Sequence, residues 1–469
     1  MLKIGIVDAN DTPNNLRPKY SPIGVVGNWL LWECSELGVE VVEPQNAELV
    51  FFCYAGAIGW KQRIGGAVRH YKWGKERPYI ISGGQSATIP TMVLKYVDAL
   101  AVGEAFTFVR TILKMVIAGD GIVDINQWIT EYPHAIAASQ LDYEEDVKHP
   151  YLLKYQIEPY ASPDTFIDWN IPPIRCADKV ARIVVSKGCP MKCKFCATSY
   201  SQEYNYNKRG GVVAGMLQSL ASQKQRTIVV SNDVAALPYY EDMVATGSLQ
   251  VQSLSFRAIA KGNGINITTG MKNNMVRLGV EGVSERIRKA VGKPIANDKL
   301  LAALVKLHRH GVKTHLFFVS GLPFETEDDY EDHRQLLRLL AINIDRCIMR
   351  IKYTTFNPTP PAPLVRFIQG VADNERASMI RNWFMNNAAS RHIMIVKGKQ
   401  NKSWRKDVSE LLDVNIAVVD TLQPESGVID LTPKEADFIR LKQNIINWPI
   451  PARTCWILGN KYKQMMSDN

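Results

Sequence analysis

The sequence predicts an α/β protein with a doubly wound, Rossmann-like N-terminal unit, a partial (β/α)6 TIM-type barrel and an α+β C-terminal region. Three observations lead there. Short apolar runs alternate with helical patterns from residue 1 to about 120, and the alternation resumes from about 180 to 360. Between them, Pro150, Pro159, Pro163, Pro172 and Pro173 break the pattern as an extended linker would. At 469 residues the chain is also too long for one ordinary core. The expected boundaries are 1–140, a linker at 141–178, the barrel at 179–365 and a C-terminal region at 366–469.

In the first unit, "LKIGIV", "VEVV", "AELVFFCY" and "PYIISGG" read as strands, and "GVVGNWLLWECSEL" as an amphipathic helix. "VDALAVGEAFTFVRTILKMVIAG" runs from a strand into a helix. In the second, "KVARIVVSKG", "RTIVVSND", "LQVQSLSFRA", "NMVRLGVEG", "KTHLFFVSGLP" and "CIMRIKYTTFNP" supply six strands. A parallel arrangement of such units places a site at the C-terminal ends of its strands.

Hydrophobic residues make up 46% and charged residues 22%, as in a well-packed globular chain. No apolar run approaches the roughly 20 residues that cross a bilayer, and no signal peptide is visible, so a cytoplasmic location is expected (the host cytoplasm for a viral protein). The formal net charge of +10 favours an anionic partner. Eight cysteines without a secretion signal argue against a disulfide framework; Cys34, Cys53 and Cys347 sit in apolar surroundings, as inert buried thiols do.

The remaining signal is "SKGCPMKCKFCATSY" at 186–200, in which Cys189, Cys193 and Cys196 follow a strand directly. Zinc is one reading, but structural zinc sites use four ligands, commonly as two separated pairs. Three thiolates on one loop suit an iron–sulfur cubane with one open iron. Gly188 and Pro190 help the chain curl, and Phe195 has the size to cover such a group. Lys192 and Lys194 either offset a negative cluster or are simply solvated.

This loop, with an aromatic residue before its last cysteine, resembles the signature of the radical SAM superfamily. The resemblance implies a [4Fe–4S] cluster on Cys189, Cys193 and Cys196, and S-adenosylmethionine (SAM) on its open iron. It further implies reductive cleavage of SAM to methionine and a 5′-deoxyadenosyl radical, fed by a flavodoxin- or ferredoxin-like electron donor. Later strand ends extend the likeness. Asp233 ends "SND", where the family usually shows Gly-Gly-Glu near the SAM amino group. Ser255 and Arg257 in "SFR" resemble the polar pair near its ribose and carboxylate. Glu281, Ser284 and Arg286 in "GVEGVSERIRKAVGKPI" fall where many members bind SAM, and Gly321 and Pro323 resemble the turn near the adenine. "FNPTPPAPL" resembles the segment that closes the barrel.

Residues 1–120 resemble the cobalamin (B12)-binding domain that precedes the barrel in one large subfamily. Gly83 and Gly84, then Asp98, then Gly103 and Glu104 follow that subfamily's order, which implies cobalamin as a third cofactor. The loop after the first strand departs from the pattern: it reads "DANDTPNN", and no histidine precedes His70. A domain that keeps the fold without the corrinoid is the alternative.

Two stretches interleave cations with aromatics, as phosphate contact and base stacking require. The first offers Lys61, Arg63, Lys72 and Trp73; the second Lys399, Lys402, Trp404 and Arg405. They make a nucleic-acid base, in DNA or tRNA, the expected substrate. The alternative is a cobalamin-dependent radical SAM methyltransferase acting on a small molecule or peptide. A non-enzymatic iron–sulfur or zinc scaffold is a third reading.

Overall fold

The computed structural model describes residues 2–9, 25–54, 60–74, 77–84, 93–102, 105–140, 174–175, 181–196, 198–201, 204–247, 254–256, 259, 275–322, 325–345, 348–356, 362, 364, 374–388 and 392–396. Strands β1 (Ile4–Asp8), β2 (Leu49–Cys53), β3 (Tyr79–Gly84) and β4 (Ala99–Val102) are parallel, and β5 (Ala135–Ala137) joins β4 antiparallel. All five residues of β1 and of β2 are buried, because helices cover both faces of this sheet. On one face lie α1 (Val25–Glu36), α3 (Phe106–Ala118) and α4 (Ile122–Glu131), around Trp29, Leu30, Ile112 and Ile129. On the other lies α2 (Trp60–Tyr71), around Ile64, Ala67 and Phe52.

The expected strand "VEVV" is reduced to a single bridge, Val41 to Ile4, on the free side of β1. The chain therefore crosses to one side of β1 and then reverses, which makes the sheet doubly wound with its switch point between β1 and β2. A buried carboxylate locks the helical layer: Glu33 accepts from Trp29 Nε1 at 3.1 Å and from Arg110 Nη2 at 2.7 Å.

The second unit opens with β6 (Ile174–Arg175), β7 (Ala181–Val184), β8 (Ser186–Lys187), α5 (Thr198–Ser201) and β9 (Asn205–Tyr206). Then come α6 (Gly210–Ser222), β10 (Thr227–Val230) and α7 (Tyr240–Ala245). After β11 (Met275–Glu281) follow α8 (Glu285–Ala290), α9 (Asn297–Arg309), β12 (Lys313–Ser320), α10 (Glu327–Asn343), β13 (Met349–Thr355), α11 (Asn374–Asn387) and β14 (Ile393–Val396). β7 and β10 pair parallel, and β11 to β14 form a parallel sheet in chain order. One core runs through both sheets, from Ala181 and Val229 to Leu278, Phe318 and Ile351. Most of the third expected strand, in "LQVQSLSFRA", lies outside the described residues; Leu254, at its end, donates to the carbonyl of Arg277 on β11 at 3.1 Å.

The sheet does not stop at residue 365, where the sequence pattern placed a boundary. β14 pairs parallel with β13, and Ile380 and Phe384 of α11 enter the common core. The described part of the C-terminal region thus adds a helix and a strand to this sheet. Among the described residues no helix is long and apolar enough to cross a membrane.

The helical face of this sheet holds a buried imidazole. His333 Nδ1–H donates to the carbonyl of Val283 at 3.0 Å, and Nε2 accepts from the Tyr353 hydroxyl at 2.5 Å. Burial drives its pKa down to about 3, so the ring is neutral in the fold. A histidine whose folded pKa lies below its unfolded value costs stability once the unfolded chain begins to take up protons. The contribution is intact above about pH 6.5 and falls by about 1.4 kcal/mol per pH unit below it. Urea denaturation at pH 7 and pH 5 is expected to show this loss, and His333→Met should remove that share of the pH dependence.

Candidate active site

The cysteine loop leaves the C-terminal end of β7 and curls through two left-handed positions, Gly188 at φ 62° and Lys192 at φ 50°. The glycine is at home there, and the lysine carries the strain of a side chain in that region. Asn232 Nδ2, just past β10, donates to the carbonyl of Gly188 at 2.7 Å, so two strand ends hold the loop. Cys189 and Cys196 are partly exposed, and Cys193 is buried. Burial pushes the Cys193 thiol up to about 12, against a lowering by the nearby Lys293 ammonium. The Cys189 thiol is also raised, chiefly by burial, with smaller effects from Cys196 and Asp233.

The three thiols thus sense one another, yet among the described residues no three Cys, His, Asp or Glu side chains converge closely enough for a single ion. Three thiols on one loop suit an iron–sulfur cluster with one open iron better than a four-ligand structural zinc.

The far side of the loop rests on the segment after β11. Lys194 N donates to the carbonyl of Val291 at 2.9 Å. Gly292 sits at φ 82°, and a Cβ there would lie 3.6 Å from the Lys192 carbonyl oxygen and 3.8 Å from Cys193 Cα. The next residue, Lys293, pairs with Glu281 at 2.9 Å. Glu281 itself is left-handed, at φ 73°, and follows an irregularity in the β11–β12 register. Such a bulge re-aims a side chain. The carboxylate folds back over Gly279, where a Cβ would come within 2.1 Å of Glu281 Oε1 and 3.0 Å of Lys293 Nζ. Gly279, Glu281, Gly292 and Lys293 therefore form one unit that sets a half-buried ion pair beside Cys193. Burial works against the Lys293 ammonium, but Glu281 and the thiols raise its pKa.

Asp233 follows β10, beside Cys189, and is only 4% exposed, yet neither carboxylate oxygen has a hydrogen-bond partner. The hydroxyls of Tyr204 and Tyr240, both of which sense Asp233, are likewise buried and unpartnered. A buried carboxylate without a partner costs several kcal/mol. The arrangement suits a ligand with a cationic amino group and fits SAM as well as the thiols fit the cluster.

The other expected SAM contacts divide. Ser284 caps α8 by accepting from Ile287 N at 3.1 Å and donates to Asp329 at 2.5 Å; Arg286 pairs with Asp329 too. Those two side chains fasten α8 to α10. Phe195 packs with Ile287, Val291, Leu322 and Leu364 instead of standing free in the loop. Gly321 N donates to Glu325 at 2.8 Å. Ser255 is half-buried, and Arg257 and Pro323 lie outside the described residues.

In the N-terminal unit, a Cβ on Gly83 would come within 2.8 Å of the Ala101 carbonyl oxygen, so its smallness serves strand packing. Asp98 accepts from Arg77 and, at 2.7 Å, from Ile80 N. Gly84 ends β3, while Gly103 and Glu104 lie outside the described residues.

The nucleic-acid patch at 60–78 needs correction. Trp73 is 7% exposed and donates from Nε1 to the Pro44 carbonyl at 2.9 Å, and Tyr71 is 3% exposed and stacked on it. These rings fill the core below α2 and have no face to offer a base. Arg63 lies over the Tyr54 ring, and Lys72 is exposed. The side chain of Lys61, and Lys399, Lys402, Trp404 and Arg405, lie outside the described residues.

Sequence reasoning did not single out Lys293. Its one signal was a lysine directly after the glycine that ends a short helix in "KAVGKP".

Residues 183–337 match the family model described as the radical SAM superfamily. Two curated relatives are a bacteriochlorophyllide d C-12(1)-methyltransferase of Chlorobaculum tepidum and an uncharacterized methyltransferase of Pyrococcus horikoshii. The first is 21% identical over 225 residues, 46% of this chain and 47% of that protein. The second is 22% identical over 218 residues, 43% of this chain and 44% of that protein. The chain thus spans less than half the length of either relative. A solved radical SAM methyltransferase of Kitasatospora setae, TsrM, with cobalamin and a [4Fe–4S] cluster bound, superposes with a TM-score of 0.55 at 11% identity and full coverage of both chains. At that identity the likeness is one of fold.

Removing one partner of a half-buried ion pair costs about 3 kcal/mol. Lys293→Met is therefore expected to lower stability by that order in chemical denaturation, and Glu281→Gln with Lys293→Met to recover most of the loss.

Proposed function

We propose, from the premise that the chain belongs to the radical SAM superfamily through residues 183–337, that it is a cobalamin-dependent radical SAM methyltransferase acting on a small molecule. The observation that carries the reading is the pairing of three thiols on one strand-end loop with the unpartnered carboxylate of Asp233 beside them. Cys189, Cys193 and Cys196 would hold the cluster, and Asp233 would receive the amino group of SAM. When bound, the cluster supplies the electron that opens the sulfonium of SAM. Lys293 and Glu281 hold a fixed dipole beside Cys193, and the helix-side packing of Phe195, Val291 and Leu364 keeps water from the rear of the loop.

Methyl transfer is supported by the curated relatives, both of which are named methyltransferases. Cobalamin is supported by the doubly wound sheet, whose switch point between β1 and β2 is where such folds bind a ligand. Base modification in DNA or tRNA loses its main structural support with the burial of Tyr71 and Trp73. An electron donor of the flavodoxin or ferredoxin type belongs to the reading as its reductant.

Anaerobically reconstituted protein, given SAM and a strong reductant, is expected to release 5′-deoxyadenosine. With cobalamin it should also form S-adenosylhomocysteine, the product left when SAM gives up its methyl group. Replacing Cys189, Cys193 or Cys196 with Ala should abolish both products and bound iron while circular dichroism stays unchanged. Release of 5′-deoxyadenosine by those variants would refute the cluster assignment. A protein that binds no corrinoid by optical spectroscopy would remove the cobalamin part alone.

A further inference from the structure

The β11–β14 sheet has two unlike faces. Val276, Leu278, Leu316, Phe318, Ile351 and Ile393 point into the common core with the helices. The opposite face, over which Glu281 folds, alternates with them at the strand period. Its register places Arg277, His315, Arg350 and Met394 side by side across four strands. The next row toward the cysteine loop is Gly279, Phe317, Lys352 and Val396.

Three cations therefore surround one imidazole. Arg277 and Arg350 are the cross-strand neighbours of His315, and Lys352 lies one step further along β13. All three act on the imidazole, whose pKa is lowered first by burial and then by these charges. None of the three has an ion-pair partner among the described residues. The carboxylate that folds over this face, Glu281, is already taken by Lys293. His315 Nε2 is buried without a hydrogen-bond partner, and its ring stacks on Phe317 with centroids 4.3 Å apart at 30°. Like charges gathered on neighbouring strands destabilise a sheet. A face that keeps them without an ion-pair partner among the described residues, with the Phe317 ring in the next row, is suited to an anionic ligand.

We propose that this open face is the substrate-binding face, and that its ligand is a small anionic molecule with carboxylate or phosphate groups on a flat apolar body. Arg277, Arg350 and Lys352 bind the anionic groups, and the His315–Phe317 pair supports the body. The free His315 nitrogen accepts or donates one further hydrogen bond. Toward Cys193 this face carries Gly279, whose missing side chain makes room for the Glu281–Lys293 pair. The proposal rests on the enzymatic reading above only for calling the ligand a substrate; the binding itself needs no turnover.

The test uses the reconstituted full chain and naphthalene-2,6-dicarboxylate as a fluorescent probe. Wild type is expected to bind the diacid, to lose affinity as salt rises, and not to bind the neutral dimethyl ester. Arg277→Gln and Arg350→Gln should each weaken binding about tenfold, as loss of a charge-assisted contact does. The double variant should melt no lower than wild type, because a repulsion has been removed. Equal binding of acid and ester, or an unchanged Kd in the double variant, would overturn the proposal. So would a single-stranded oligonucleotide that displaces the probe and itself loses affinity in the double variant, since the face would then serve a polymeric phosphate. The ester and salt comparisons use wild type only and stand even where a variant misfolds. Release of 5′-deoxyadenosine is measured separately, so failure here leaves the radical reading untouched.

Discussion

The guanidinium of Arg288 is fully buried, and it holds together the segment on which the site is assembled. It donates to the carbonyls of Ile295 at 2.8 Å and Gly282 at 3.3 Å, and it pairs with the side chain of Asn297. Burial lowers its pKa to about 10, with Asp332 and Glu285 opposing, so it keeps its charge at neutral pH. The bonds span the whole turn from 282 to 297 and fix its two ends against each other. The cysteine loop docks on that turn through Val291 and Gly292, and the Glu281–Lys293 pair projects from its two flanks. A charge without apolar alternatives thus sets the shape of a loop that must be reproducible to a fraction of an ångström.

The two sheets solve different problems with the same strand chemistry. In the N-terminal unit both faces are covered, so every residue of β1 and β2 is buried. In the second unit, among the described residues, helices pack on one face of the β11–β14 sheet, and β11 and the first part of β12 alternate buried with exposed or half-buried positions. The difference separates a platform from a working surface. The second unit also keeps buried polar groups without partners, Asp233 just past β10 and His315 on the less covered face of β12.

Much of this was legible in the sequence. The Cys189–Cys193–Cys196 spacing, the glycine at 188 and the parallel strands all follow from local pattern, because metal-ligand spacing and strand periodicity are local properties. Asp233 was legible as a carboxylate near a strand end, although β10 stops at Val230. Its lack of a partner was not, since that depends on what its neighbours fail to supply. Ser284 and Arg286 look equally available in sequence, and only the packing of α8 on α10 shows that Asp329 engages both. Tyr71 and Trp73 misled for a similar reason: cations and rings interleaved on a helix read alike whether the rings face solvent or core. The basic row of Arg277, His315 and Arg350 was hidden most deeply, because its members lie on three strands far apart in the chain.

The C-terminal addition of β14 bears on how the chain tolerates cutting. Without it, Met349, Arg350, Ile351 and Lys352 of β13 would lose their partner strand and turn their outward backbone donors and acceptors to solvent. An unprotected strand of that kind recruits other chains by backbone pairing. The four residues of β14 therefore act as an edge guard for the catalytic unit, and the proline-rich stretch before them, which invites a domain cut, is the wrong place to make one.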